Sequence, residues 1–114
     1  MGQKDHLHIL WTNGDIETSR LMVLMYARNA MLDNWWKEVT VIVWGSTARL
    51  AAENPIIKAD IKMAQHVKVK FSACLACARQ LGVENELREM NIETKYWGEE
   101  LTELIKNREM LLTV

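Results

Sequence analysis

Five consecutive β-branched residues, Val39-Thr40-Val41-Ile42-Val43, followed by Trp44, constrain this chain more than any other stretch. A strand with one wet face alternates apolar and polar side chains, so a continuous run of this kind requires cover on both faces. Helices supplied by β–α–β crossovers give that cover, which makes the expected sheet parallel and the domain α/β.

The flanking sequence supplies the alternation. Leu7–Thr12 reads as a first strand ended by the turn signal Asn13-Gly14-Asp15. Asp15 or Thr18 then caps a helix over residues 16–32. Its apolar positions Leu21, Met22, Leu24, Met25, Tyr26, Met31 and Leu32 cover more than one face. Either one side packs on the sheet and the other on a second subunit, or the helix lies in a groove of its own domain. Asp33-Asn34 break this helix, and the central strand follows over Val39–Trp44. Gly45-Ser46-Thr47 opens a helix at Ala48–Ala52, and Asn54-Pro55 starts another, with Asn as N-cap and Pro at the first helical position. Ile57, Ile61 and Ala64 share one face of it. Val67, Val69 and Phe71, alternating with lysine, predict a third strand. A short helix rich in small residues runs from there to Leu81, with Gly82 at its end. Residues 84–90 read as a short helix, Glu93–Trp97 as a fourth strand, Gly98–Asn107 as a helix with Leu101, Leu104 and Ile105 on one face, and Met110–Val114 as a terminal strand. The expectation is a single domain over residues 1–114: a three-layer α/β/α fold with a five-stranded, mainly parallel sheet, Rossmann-like or flavodoxin-like.

Of the 114 residues about half are apolar, a quarter are charged, and the formal net charge is −1. Basic residues are scattered, which speaks against nucleic-acid binding. No stretch approaches the roughly 18 apolar residues of a membrane span. The polar start enters a strand-like run at once, so no signal peptide is expected, and His6 stands where a myristoylation signal on Gly2 wants Ser or Thr. Two cysteines without an export signal point to a reducing, cytoplasmic setting. Five Trp and seven Met are many for a small core, a hint of an oligomer.

In open α/β sheets, ligands and reactive groups gather at the carboxyl ends of the strands. The loops Thr12–Asp15, Gly45–Thr47 and Ser72–Cys77 are expected there, with Trp97-Gly98 as a fourth. Both cysteines, Cys74 and Cys77, lie in the third loop, where strand gives way to helix. A helix start favours thiolate, the nucleophilic form, and Lys68, Lys70 and Arg79 are candidate sources of positive potential or plain solvated charges. In a first helical turn the two Cα atoms would lie about 5–6 Å apart, within disulfide range. Equally, both are the kind of small residue that packs a core. Zinc needs more ligands than this: there is no second C-x-x-C, and His6, His8 and His66 lack paired spacing, so neither metal nor cofactor is expected. His8, between Leu7 and Ile9, reads as a packed histidine before it reads as a base. Gly45-Ser46-Thr47-Ala48-Arg49 is either a weak anion cradle or a plain N-cap.

The first strand ending Leu-Trp-Thr, the Met-rich helix, Val-Ile-Val-Trp-Gly, Cys74 followed by Leu81-Gly82-Val83, and the ending Met-Asn-Ile-Glu-Thr-Lys-Tyr…Leu-Thr-Glu-Leu-Ile together resemble the DsrE/DsrF-like (DsrEFH) family. The resemblance spans essentially the whole chain. It implies a small α/β/α subunit assembled as a homotrimer or homohexamer that carries sulfur as a persulfide on one cysteine. By position relative to Leu81-Gly82-Val83 that role falls on Cys74, with Cys77 a partner or a passive residue. The implied function is a cytoplasmic sulfur carrier of sulfurtransferase type, taking sulfane sulfur from a donor protein and passing it to an acceptor. Two alternatives stand beside it: a binding module for a small anion or nucleotide at the strand ends, and a dithiol redox protein using Cys74 and Cys77.

Overall fold

Residues 4–114 are described by a computed structural model; Met1–Gln3, and with them Gly2, lie outside the described residues. Strand β2 (Glu38–Val43) is buried from Val39 to Val43, as its composition requires, because it runs through the middle of the sheet. The elements in order are β1 (His6–Trp11), α1 (residues 16–32), β2, α2 (Thr47–Glu53), α3 (Pro55–His66), β3 (Lys70–Cys74), α4 (Leu75–Leu81), α5 (Glu84–Glu89), β4 (Glu93–Lys95), α6 (Gly98–Lys106) and β5 (Leu111–Thr113). The five strands lie in the order β4-β3-β2-β1-β5, and every neighbouring pair is parallel. Among the described residues no helix is long and apolar enough to cross a membrane.

Strand order and handedness fix the layers. Three crossovers step one way across the sheet and the last returns to the far edge; right-handed connections therefore put α1–α5 on one face and α6 on the other. Leu7, Ile9 and Trp11 of β1, Val39, Val41 and Val43 of β2, and Phe71 and Ala73 of β3 meet the helix residues Val23, Ala27, Ala51, Ile57 and Ile61 in one core. The opposite face is more polar. It carries His6, His8, Thr40 and Ser72, with Trp97 at the start of α6 laid against it. The domain is a three-layer α/β/α fold with unequal outer layers.

Three local expectations are corrected. Val67 and Val69 are not in the third strand. Helix α3 runs to His66 and closes through Lys68 in the left-handed region (φ 76°), with Val69 N–H bonded to Ala64 O at 3.0 Å; β3 begins at Lys70. A helix C-terminus capped by lysine instead of glycine thus imitates a period-2 strand. Second, β4 stops at Lys95, and Trp97, expected inside it, is the buried residue that leads into α6. Third, α1 is not uniformly α-helical. Ile16–Thr18 and Met25–Leu32 are, but Ser19–Leu24 between them is π-helical, the Met25 N–H reaching back to Arg20 O.

The caps hold where they were expected. The Asp15 side chain accepts from Thr18 N–H at 2.9 Å, and Asn54 accepts from Ile56 and Ile57 N–H at 3.0 Å each, ahead of Pro55. Gly82 closes α4 at φ 71°, a conformation that side chains resist.

Candidate functional site

The carboxyl ends of β1, β2 and β3 are tied together by short polar links. Thr47 Oγ1 donates to Trp11 O at 2.8 Å and accepts from Trp44 N–H at 3.1 Å, joining the second loop to the end of β1. Gly14 comes so near the second loop that an added Cβ would meet Ser46 Oγ at 3.0 Å. Ser19, buried in the π-helical turn, accepts from Trp11 Nε1 and donates to Asn13 O, both at 3.0 Å. The fourth expected segment arrives through Trp97, whose Nε1 donates to Ser72 Oγ at 2.8 Å; Ser72 in turn donates to Glu93 Oε1 at 2.8 Å.

Both cysteines lie within this frame, free and in unequal environments. Cys74 is the last residue of β3 and also the N-cap of α4, in extended conformation, and only 5% exposed. Cys77, one turn into α4, is half-buried and is the member of the pair nearer solvent. The two thiols are neighbours that influence each other's titration. Cys77 Sγ also accepts from Gly45 N–H at 3.3 Å, across the gap between the second and third loops. Burial pushes the Cys77 thiol up; the Gly45 amide pulls it down, and the neighbouring Cys74 pushes it up again, so the net shift is upward.

Two of the basic residues considered as sources of potential are engaged elsewhere. Lys70 pairs with Glu38 at 3.3 Å, and Arg79 bonds Glu84 and the Tyr96 hydroxyl at 3.1 Å each; Lys68 stands at the left-handed end of α3, ahead of β3. The activating contact that remains is the Gly45 amide, which the sequence marked only as part of an anion loop. Two of that loop's other amides are used internally: Ala48 N–H bonds Gly45 O and Arg49 N–H bonds Ser46 O, at 3.1 Å each. Ser46 makes no side-chain cap, and Thr47 turns inward. Beside the loop, Gly14, Ser46, Arg49 and Pro55 line an open pocket of about 420 Å³.

His8 packs as a core residue. Its ring stacks on His6 at 4.0 Å, meets Trp97 edge-on at 6.3 Å, and burial lowers its pKa from 6.5 to about 4, leaving it neutral at pH 7. His66 ends α3, far along the chain from either. Ser72 and Trp97 lie in segments that the sequence placed at the strand ends; the hydrogen bond between them, which holds the fourth segment in place, was not foreseen.

No family model matches the chain, and no curated protein matches it. Among solved structures, the conserved protein of unknown function BT1422 from Bacteroides thetaiotaomicron is 33% identical, with a TM-score of 0.94 over 96% of this chain and 95% of that one. The chain belongs to the family of BT1422. Agreement at this level makes the BT1422-family fold the parallel α/β/α arrangement described above. MTH1491 from Methanobacterium thermoautotrophicum, also of unknown function, has a TM-score of 0.74 at 15% identity over 96% of this chain and 97% of that one. That second likeness is one of fold.

Proposed function

We propose that this protein is a cytoplasmic sulfur carrier of sulfurtransferase type that holds sulfane sulfur as a persulfide on Cys74. The observation that carries the proposal is the pair of free thiols at the carboxyl end of β3, one buried and one reachable, with a backbone amide on the outer sulfur. The DsrE-like sequence pattern around Cys74 supports the same role and brings with it a homotrimer or homohexamer.

The chemistry balances without a cofactor. A donor persulfide R–S–SH is attacked at its terminal sulfur by Cys77 thiolate; R–S⁻ leaves and takes up a proton, and Cys77 becomes Cys77–S–SH. Cys74 thiolate then takes the same terminal sulfur, returning Cys77 to the thiol and leaving Cys74–S–SH. The Gly45 N–H stabilises charge on Cys77 sulfur at both steps. Burial of Cys74 shields the stored persulfide from adventitious thiols. An acceptor nucleophile removes the sulfur by the reverse sequence. If Cys77 thiolate attacks Cys74 Sγ instead, hydrosulfide leaves, a Cys74–Cys77 disulfide forms, and two external thiols must reduce it.

Cyanide is a convenient acceptor, converting a persulfide sulfur to thiocyanate. Wild-type protein loaded with a small persulfide donor and then freed of it is expected to release thiocyanate on addition of cyanide, and Cys74→Ala, which lacks the buried store, to release only background. Equal release by donor-free Cys74→Ala would refute the assignment.

A second reading, small-anion binding, is favoured by one observation: Arg49, without an ion pair among the described residues, faces the open pocket beside Ser46. Thermal stabilisation by inorganic phosphate that survives Cys74→Ser/Cys77→Ser and is lost in Arg49→Ala would support it.

A further inference from the structure

The outer side of α1 is apolar and uncovered. Leu21 is 64% exposed and Met25 39%, and across a groove from them Met63 of α3 is 50% exposed. The groove has a volume of about 280 Å³. Arg28, at its edge, makes no ion pair among the described residues, and its Nε, buried within the same copy, has no hydrogen-bond partner there. The neighbouring Arg20 is satisfied, bonded to Asp60 at 2.7 Å.

Charge along α1 indicates what covers the groove. Glu17, Leu21, Met25 and Arg28 follow at spacings of four, four and three, so they form one stripe. The stripe begins with an exposed carboxylate that has no ion pair among the described residues and ends roughly 16 Å on with the under-satisfied guanidinium. Opposite charges at the two ends of an apolar stripe are complementary to the same stripe run backwards. An antiparallel second copy, related by a two-fold axis near Met22 and Val23, sets each Glu17 against the other copy's Arg28. The same operation brings the exposed Leu21 and Met25 of the two copies together at the centre, over the buried Leu24.

We infer that the α1–α3 groove is the two-fold interface of a homodimer, closed by two symmetric Glu17–Arg28 ion pairs around an apolar centre. The contact is isologous, so it closes on itself and adds only even copy numbers. Alone it gives a dimer, and combined with a three-fold contact it gives a hexamer. It does not depend on the sulfur chemistry.

The test is molar mass of the full chain by light scattering during size exclusion, over a range of concentrations. Wild type is expected as a dimer or hexamer. Glu17→Arg and Arg28→Glu, each placing two like-charge pairs across the axis, are expected to weaken the two-fold contact about tenfold or more. The double variant restores opposite charges and is expected to reassemble. Leu21→Glu, which leaves both charged residues in place, is expected to dissociate the contact with circular dichroism unchanged. A wild type that is monomeric or trimeric at every concentration overturns the inference. So does a double variant no better assembled than the singles, or an unaffected Leu21→Glu.

Discussion

The Gly45 amide points at Cys77 Sγ, 3.3 Å away, although 32 residues separate them in the chain. Gly45 reaches this position at φ 73°, with nothing within 4 Å of where a Cβ would stand. The cost of a side chain there is therefore conformational, about 1 kcal/mol for alanine. The contact makes the second loop part of the cysteine site and gives the outer thiol a directed donor.

The unequal exposure of the cysteines sets their order of modification. Under iodoacetamide, Cys77 is expected to react first and Cys74 only slowly, as peptide mapping will read. Because burial raises the Cys77 pKa, its rate is expected to climb with pH to a midpoint above the ordinary thiol value of 9.0. A midpoint near 7, or faster labelling of Cys74, would contradict this environment.

Ser72 bridges Trp97 Nε1 and Glu93 Oε1. Ser72→Ala leaves the indole N–H of a residue only 2% exposed without an acceptor, at a cost of about 1–3 kcal/mol. Urea unfolding is expected to show this loss with the slope unchanged, and Trp97→Phe in the same background is expected to recover part of it.

His8 makes stability sensitive to acid. Its pKa is about 4 in the folded chain and 6.5 when unperturbed, so between those values the unfolded chain binds the extra proton. Stability is full above pH 6.5 and falls as pH drops toward 4, by up to about 3 kcal/mol. The groups facing His8 are His6, which adds to the lowering, and Glu38, Glu100 and Glu109, which oppose it. His8→Phe is expected to flatten unfolding free energy against pH in that window; an unchanged slope would mean that His8 titrates normally.

The elements most legible in the sequence were those whose chemistry is local. Val39–Val43 is uniformly β-branched, Asn54-Pro55 starts a helix by side-chain and ring geometry alone, and Gly82 ends one. The errors arose where tertiary contacts decide. Lys68 occupies a left-handed helix end that usually calls for glycine, which moved the expected strand forward by three residues. The π-helical turn at Ser19–Leu24 is anchored by the Trp11–Ser19 hydrogen bond between side chains on different elements, and no single-strand periodicity reports it. At the site, the sequence located both cysteines at a strand end. The resemblance ranked Cys74 by its position relative to Leu81-Gly82-Val83, and the sequence could not foresee that Cys77 would be the more accessible thiol, because the Gly45 amide comes from another loop.

The measurement that bears most directly on the sulfur-carrier proposal is intact mass after incubation with a sulfane-sulfur donor, on wild type and on Cys74→Ala and Cys77→Ala. The account predicts a gain of one sulfur atom on wild type, slower loading of Cys77→Ala through its buried Cys74, and no stable gain on Cys74→Ala. No gain on any form, or a stable gain on Cys74→Ala equal to wild type, would contradict it.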